Sequence, residues 1–476
     1  MKENYFNLID EPWIPFADDG IVGLKSIFGE KKYRRLGGTP IQKIALMKFL
    51  QAITQAAYTP KDEEEWLCLR EEELSYRCLC YLDSVYDCFF LYGEKPFLQV
   101  PEILQQGTNK INSIACATPE VASGNNTILC QSQIETKLSH AEKAVHLVTL
   151  MGFASGGKKW ASKNATPGVC LGGLGMLHSF CLGKTLPESL LLNLFTQEDL
   201  ETHRWKQVPP PWETMPQKHD DARATALSES LTGRLMPLSR FCVLVKEDNT
   251  FHTTQGISYA SLEDGGFDPS ITEIKKKPLW SDPEKRPWRS LSAILSFSPI
   301  KGRCIQVEMA IRRAGRLRLD IEMWSGGLRI SNDCGEQTPK GGGDDFVESS
   351  VLLKTEDLEK WYSAFETEIK ALETLSEQLG KCVMRFFKEQ SLNNEGYPKK
   401  ARNLFWQLCE RQLVPMIDAC YEKNNTMLLG LRQKFARYMH SAFDDVCPKN
   451  TARQLDAWAK HRPYCKKYLN AGEING

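Results

Sequence analysis

A chain of 476 residues is longer than one compact core supports, so two or more domains are expected. Its 60 Lys and Arg balance 60 Asp and Glu, and the formal net charge of zero excludes a surface coated in basic charge; a polyanion binder with this balance must gather its cations locally. No apolar run approaches the ~20 residues a membrane span needs, no signal peptide is read, and the 16 cysteines sit inside apolar patterns, as free thiols of a cytoplasmic protein do.

In chain order, the elements begin with a mixed α and β region. Thr39 and Pro40 open a helix with a cap and a first-turn proline, and Leu46, Leu50, Ile53 and Ala57 mark its apolar face. Residues 66–92 read as a second helical stretch. Ser139 and Glu142 form a capping box for a helix that runs to about Met151. Pro187 starts another, through Leu190 and Leu194. The pattern fails from 203 to 222, where Pro209, Pro210 and Pro211 make a spacer. Two hairpins are then expected: 241–246 with 250–254 about Asp248 and Asn249, and 304–313 with 316–324 about Ala314 and Gly315. Arg312, Arg313, Arg316 and Arg318 crowd the second turn. Beyond the Gly341, Gly342 and Gly343 hinge, residues 358–379, 401–421 and 427–443 carry long helical patterns with short connections. The expected fold is α+β: a large mixed α/β N-terminal domain, residues 1–350, followed by a C-terminal antiparallel four-helix bundle, residues 351–476.

Motifs for catalysis fail in turn. Gly183, Lys184 and Thr185 resemble the end of a phosphate-binding loop, but the glycine needed five positions earlier is His178. Gly172, Gly173 and Gly175 lack the dinucleotide spacing. His140 and His146 lie six apart, on different helix faces, and there is no Cys-x-x-Cys pair for structural zinc. Asp344 and Asp345 read as solvated loop acids. No catalytic residue, metal or cofactor is expected.

What remains is cationic charge beside glycine. Residues 151–184 carry Lys158, Lys159, Lys163 and Lys184 and no acid, and residues 271–343 carry 14 Lys and Arg against 8 Asp and Glu. Gly156 and Gly157, followed by Lys158 and Lys159, read either as a glycine-capped helix end or as backbone lying against a DNA groove where a Cβ would clash. Lysines beside such a backbone can hold phosphates. Gly124, Asn125 and Asn126 form a second glycine loop before the same helix, and Lys275, Lys276 and Lys277 read by themselves as a solvated turn.

Four features, in this order along the chain, resemble the CasA family, the large subunit of the type I-E CRISPR Cascade complex. They are Phe6-Asn7-Leu8-Ile9-Asp10-Glu11-Pro12-Trp13-Ile14-Pro15, Gly93-Glu94-Lys95-Pro96-Phe97-Leu98-Gln99, the two glycine loops, and Trp324-Ser325-Gly326-Gly327-Leu328-Arg329 with the polar loop and helical region after it. The resemblance implies a non-catalytic subunit that inspects duplex DNA for a protospacer-adjacent motif, starts strand separation for crRNA pairing, and helps recruit the helicase–nuclease of the same system. It implies partners: the other Cascade subunits with crRNA, and target double-stranded DNA. It places the Gly156–Gly157 loop in the minor groove, with one lysine of 275–277 on a finger beside it. It makes residues 329–332 (Arg329, Ile330, Ser331, Asn332), just past an expected Gly326–Gly327 turn, a wedge between the first base pairs, with Gln337 as the alternative tip. It makes Gly124, Asn125 and Asn126 the loop that anchors the subunit to the crRNA 5′ end and its neighbour. Two other readings stay open: a scaffold that binds RNA or protein without inspecting DNA, and an enzyme with an unrecognised site.

Overall fold

In this computed structural model the described residues are 6–105, 110–113, 137–153, 175–247, 250–266, 268–296, 300–329, 332–333, 336–337, 345–355 and 358–470. The chain divides into two compact units, Met1–Leu353 and Lys354–Gly476.

The first unit is built around the helix Pro40–Ala57, which is buried on nearly every side. Pro40 takes the first helical position, and the Gln42 side chain accepts from the Thr39 N–H at 2.9 Å. Of its buried polar residues, Gln51 finds no side-chain partner among the described residues, whereas Lys48 and Gln55 are paired. Gln55 makes a reciprocal pair with the Phe195 backbone, donating from Nε2 at 3.0 Å and accepting at Oε1 at 3.1 Å. The two N-terminal segments that carry the family resemblance lie against each other. The Leu8 N–H donates to the Phe89 carbonyl and the Leu91 N–H to that of Phe6, while Asn7 Nδ2 donates to Tyr86 O at 3.2 Å. Gln99, 3% exposed, donates to Leu91 O at 2.8 Å and accepts from the Leu244 N–H at 2.7 Å. These motif residues therefore satisfy buried backbone groups, which cost about 1–3 kcal/mol each when left unpaired. Phe49, Phe89, Phe97 and Trp212 fill the space behind them, with ring centroids 5.0–6.3 Å apart.

The strands among the described residues are β1 (Ile14–Phe16), β2 (Gly20–Val22), β3 (Lys110–Ser113), β4 (His178–Leu182), β5 (Arg240–Leu244), β6 (Thr250–Gln255), β7 (Glu273–Ile274), β8 (Lys277–Pro278), β9 (Ile321–Arg329), β10 (Asn332–Asp333), β11 (Glu336–Gln337) and β12 (Asp345–Leu353). They form two three-stranded sheets, β3-β6-β5 and β12-β9-β4, and three ribbons, β1-β2, β7-β8 and β10-β11. The expected pairing of 241–246 with 250–254 is the β5-β6 pair. The capping box of Ser139 and Glu142 also forms, and its helix runs His140–Phe153.

Three expectations are corrected. Residues 304–324 are not a hairpin: Ile305–Leu317 is a helix and only β9 is a strand. Val307, Ala310, Ile311 and Ala314 are buried at helical spacing, and Gly315 lies inside the last turn, where the left-handed Arg318 (φ 52°) ends it. Gly326 and Gly327 are not a turn but lie mid-strand in β9. The stretch 66–92 breaks into helices Glu63–Cys68 and Glu71–Ser84, followed by a 3₁₀ turn at Tyr86–Phe89.

The second unit is helical. Its described helices are Leu358–Glu389, Tyr397–Glu410, Leu413–Tyr421, Asn425–Val446, Ala452–His461 and Lys466–Asn470. The helix expected across 401–421 is interrupted at Arg411 and Gln412; Pro415, which has no N–H to continue a helix, falls in the first turn of the next one. Leu358–Glu389 packs on Tyr397–Glu410, Leu413–Tyr421 and Asn425–Val446. Inside, Arg432 forms an ion pair with the nearly buried Glu368. Among the described residues no helix is long and apolar enough to cross a membrane.

Candidate nucleic-acid interface

One end of the β12-β9-β4 sheet gathers most of the features that the sequence singles out. β9 pairs with β12 from Ile321↔Leu353 to Arg329↔Asp345, and with β4 from Glu322↔Leu182 to Gly326↔His178. Arg329, Asp345 and the residues just before His178 therefore share an end. The segment 330–344 leaves after Arg329 and comes back at Asp345. The segment 154–174 leaves after Phe153 and comes back at Gly175, and the Phe153 ring meets the His178 ring edge-on at 5.7 Å. Both glycine-containing segments thus start and finish at this one end.

The lysine triplet comes to the same place. β7 and β8 pair Glu273↔Pro278 and Ile274↔Lys277, so Lys275 and Lys276 form a two-residue turn. Both are left-handed, with φ of 52° and 60°, as the turn that matches strand twist demands. Asn-Gly is the usual pair there; lysine costs roughly 1 kcal/mol per residue in that region. Lys275, Lys276 and Lys277 are exposed, with no ion-pair partner among the described residues. The flanks are tied down on several sides. The Ser179 N–H donates to Ser270 O, the Leu177 N–H to Leu279 O and the Leu279 N–H to Thr272 O, each at 2.8 Å. Glu273 and Arg303 exchange backbone bonds at 2.9 and 3.0 Å. Gly327 lets β9 lie flat against this exit: a Cβ there would overlap Ser281 Oγ and come within 2.8 Å of Met176 O. Arg329 meets Asp282 at 3.9 Å, an exposed pair that contributes little energy.

A buried polar network underlies the hairpin. Lys48, from the central helix, forms an ion pair with Asp268; these side chains are 3% and 0% exposed. Asp268 Oδ1 accepts from the Ser270 N–H at 2.9 Å and from its hydroxyl at 2.6 Å. Ser270 Oγ lies 2.8 Å from His178 Nδ1. Since the Ser270 proton is committed to Asp268, Nδ1 must be the donor, and Nε2 is left a buried acceptor with no partner among the described residues. Burial pushes the His178 imidazole down to about 4, so it is neutral at pH 7. Burial would raise the Asp268 carboxyl, but Lys48, His178 and the Ser270 bond outweigh it and hold the group below its ordinary value.

Of the residues singled out in the sequence, Lys275, Lys276 and Lys277 lie on the ribbon whose base is tied to β4, and Arg329 ends β9. Gly156, Gly157, Lys158, Lys159, Gly124, Asn125, Asn126, Ile330 and Ser331 lie outside the described residues. Only the backbone of Asn332 is described: β10 pairs it directly with Gln337, so the two amide residues weighed for the wedge tip are cross-strand neighbours. The arginine cluster does not hold. Arg313 is buried, stacks on Trp66 at 4.4 Å and pairs with Glu63 at 2.6 Å, whereas Arg312, Arg316 and Arg318 are exposed. The network of Lys48, Asp268, Ser270 and His178 was not foreseen, although a lysine inside an apolar helix and a histidine inside an apolar strand were signals. Among the described residues no three His, Cys, Asp or Glu side chains are placed to hold a metal.

Solved structures share this architecture along nearly the whole chain. CasA of Thermus thermophilus matches with a TM-score of 0.74 at 20% identity, over 98% of this chain and 99% of that one. Thermobifida fusca Cse1 matches at 0.73 and 19%, over 98% of each chain. A chain of a CRISPR RNA-guided surveillance complex matches at 0.70 and 16%, over 96% and 98%. At such identities the likeness defines a fold, that of the CasA/Cse1 proteins. In sequence, the CasA/Cse1 protein of Thermus thermophilus is 28% identical over 317 residues, 61% of this chain and 60% of that protein, so the match spans less than two thirds of the relative. The profile of the family described as CRISPR-associated protein Cse1 covers residues 7–443. The chain belongs to that family, the large subunit of the type I-E CRISPR Cascade complex.

Proposed function

We propose that this subunit inspects duplex DNA for a short flanking motif and starts its opening, leaving the longer sequence to guide-RNA pairing. The observation that carries the reading is the convergence, at one end of the β12-β9-β4 sheet, of an exposed lysine turn with the roots of both glycine-containing segments. Exposed lysines on a narrow turn reach phosphates and groove edges. The tethered flanks fix where they reach, so little ordering remains for binding to supply. In this reading Gly156 and Gly157 bring backbone against the minor groove, Lys158 and Lys159 hold phosphates, and Ile330, Ser331 and Asn332 wedge the first base step. Opening a step costs a few kcal/mol, offset by new contacts and by strand pairing with the guide. Gly124, Asn125 and Asn126 anchor the subunit to crRNA and its neighbour. We read the longer C-terminal helices as an antiparallel four-helix bundle, and the whole chain as a non-catalytic partner of the other Cascade subunits, crRNA and the helicase–nuclease.

The test is assembly with the other subunits and guide RNA, followed by binding to duplex targets with randomised flanks. Affinity that depends on a few flanking positions is the expected result. Binding indifferent to the flank would make the chain a scaffold instead.

A further inference from the structure

Trp280 sits at the same end of the sheet and has no role in the folding described above. Most tryptophans of the first unit are in the core: Trp13, Trp66, Trp205, Trp212, Trp288 and Trp324 are at most 7% exposed. Trp280 is 54% exposed, the only described tryptophan more than half open to solvent. An indole left in water forgoes the largest apolar burial any side chain can make. Its ring nonetheless has a fixed seat. It follows Leu279 and precedes the buried Ser281, and it bridges Met176 across an antiparallel contact. The Leu177 N–H donates to Leu279 O, and the Ser281 N–H to Gly175 O. One edge of the ring lies over Gly175, which is left-handed at φ 102°. A Cβ there would sit 3.2 Å from Trp280 Cε3 and 3.4 Å from Leu328 O. No hydrogen bond, ring contact or cation of the described residues engages the indole. It is an aromatic surface with a fixed seat, three residues along the chain from the exposed Lys277, at the roots of the segments 154–174 and 330–344.

A flat, pre-placed aromatic beside cations is what an unpaired nucleobase stacks on, whatever its identity. We propose that Trp280 is a stacking platform for the first base unpaired next to the recognised motif, holding it out while the guide pairs with the target strand. This rests on the DNA-inspecting reading above.

The experiment uses the complete guide complex carrying wild-type chain, Trp280→Ala or Trp280→Phe. The target is a linear duplex with the preferred flank and 2-aminopurine at the first position beside it. A second target has that first base pair cross-linked, so it can dock but not open. With wild type the opened 2-aminopurine is expected to stay quenched by stacking. With Trp280→Ala it should brighten, and opening should slow about tenfold, the size of one missing base–aromatic stack. Trp280→Phe, which keeps a ring, should restore most of both signals, showing that the site folds. Docking on the cross-linked duplex should be equal for all three. Unchanged opening and quenching in Trp280→Ala, with flank dependence intact, overturn the platform and leave the inspecting reading standing. Equal loss on the cross-linked duplex also overturns it, because the indole would then contact paired DNA. Loss of flank dependence in wild type would instead sink the inspecting reading.

Discussion

Arg313 and the lysines 275–277 come from the same basic stretch of sequence and end in opposite environments. Arg313 is fully buried, stacked on Trp66 and paired with Glu63 and Asp199. The lysines are exposed, Lys275 and Lys276 on a left-handed turn and Lys277 just after it, with no ion-pair partner among the described residues. One cation is part of the core; the others are held out at a conformational cost. Local charge density alone therefore does not locate a binding surface. What distinguishes the two is whether an acid has been built to meet the cation.

The largest effect should come from breaking the buried side of this comparison. Replacing Arg313 by Ala leaves Glu63 with only its longer pair to the exposed Arg316, takes the cation from Asp199 and opens a cavity against Trp66, for a loss of about 3–5 kcal/mol in unfolding of the chain. Burial tends to lower the Arg313 pKa, and Glu63 is the main group opposing that; Glu63→Gln should therefore be destabilising as well, though by less. If Arg313→Ala unfolds at the wild-type denaturant midpoint, the distinction between the two sets of cations fails.

Gly327→Ala tests how the exposed side is seated. The new methyl must displace Ser281 or the Met176 carbonyl, at about 1–3 kcal/mol. Because Ser281 follows Trp280, duplex opening by the assembled complex should slow as well, with docking unchanged. A variant as stable as wild type would show that β9 has room to spare.

Replacing Lys275, Lys276 and Lys277 together by alanine should leave stability within about 0.5 kcal/mol. DNA binding by the assembled complex should weaken, and its salt dependence flatten by roughly 0.9 in slope for each phosphate no longer held. An unchanged slope returns the triplet to a solvated turn. The double change Lys275→Asn and Lys276→Gly sharpens the point: it suits the turn, so it should stabilise the chain by about 1–2 kcal/mol while weakening DNA binding. Gain in both would mean that the charges serve no ligand.

Much of the frame was legible in the sequence because caps and turns act locally. Thr39 with Pro40, Ser139 with Glu142, and the β5-β6 hairpin follow from a few neighbouring residues. The helix Ile305–Leu317 was hidden by Ala314 and Gly315, which mimic a turn; burial at 307, 310, 311 and 314 decides for helix, and burial is not visible without the packing. The lysine triplet was legible as a solvated turn, but the left-handed, two-residue form of that turn was not, since lysine is not a residue that signals φ above zero. The network of Lys48, Asp268, Ser270 and His178 joins positions up to 220 apart in sequence. No local pattern announces such a set.

At pH 7 His178 offers the smallest effect, one that grows in acid with a clean sign. Its folded pKa, about 4, lies below the ordinary value of 6.5 because the ring is buried. Between these values the unfolded chain binds a proton that the folded chain refuses. The stabilisation is therefore complete above pH 6.5 and is lost as pH falls toward 4, at up to ~1.4 kcal/mol per pH unit. Asp268 acts in the same direction but lower: its depressed carboxyl contributes above its ordinary 3.8 and that contribution is lost only in stronger acid. His146 and His203 are also pushed down by burial, so His178 is one of several groups in its window. His178→Gln keeps a donor for Ser270 and removes the titration. Denaturant unfolding followed from pH 7 to 4 should then show a slope reduced by up to one proton, not abolished. An unaltered slope would mean that His178 takes up its proton without unfolding the chain, and that the sheet end beneath the lysine turn opens more readily than its packing implies.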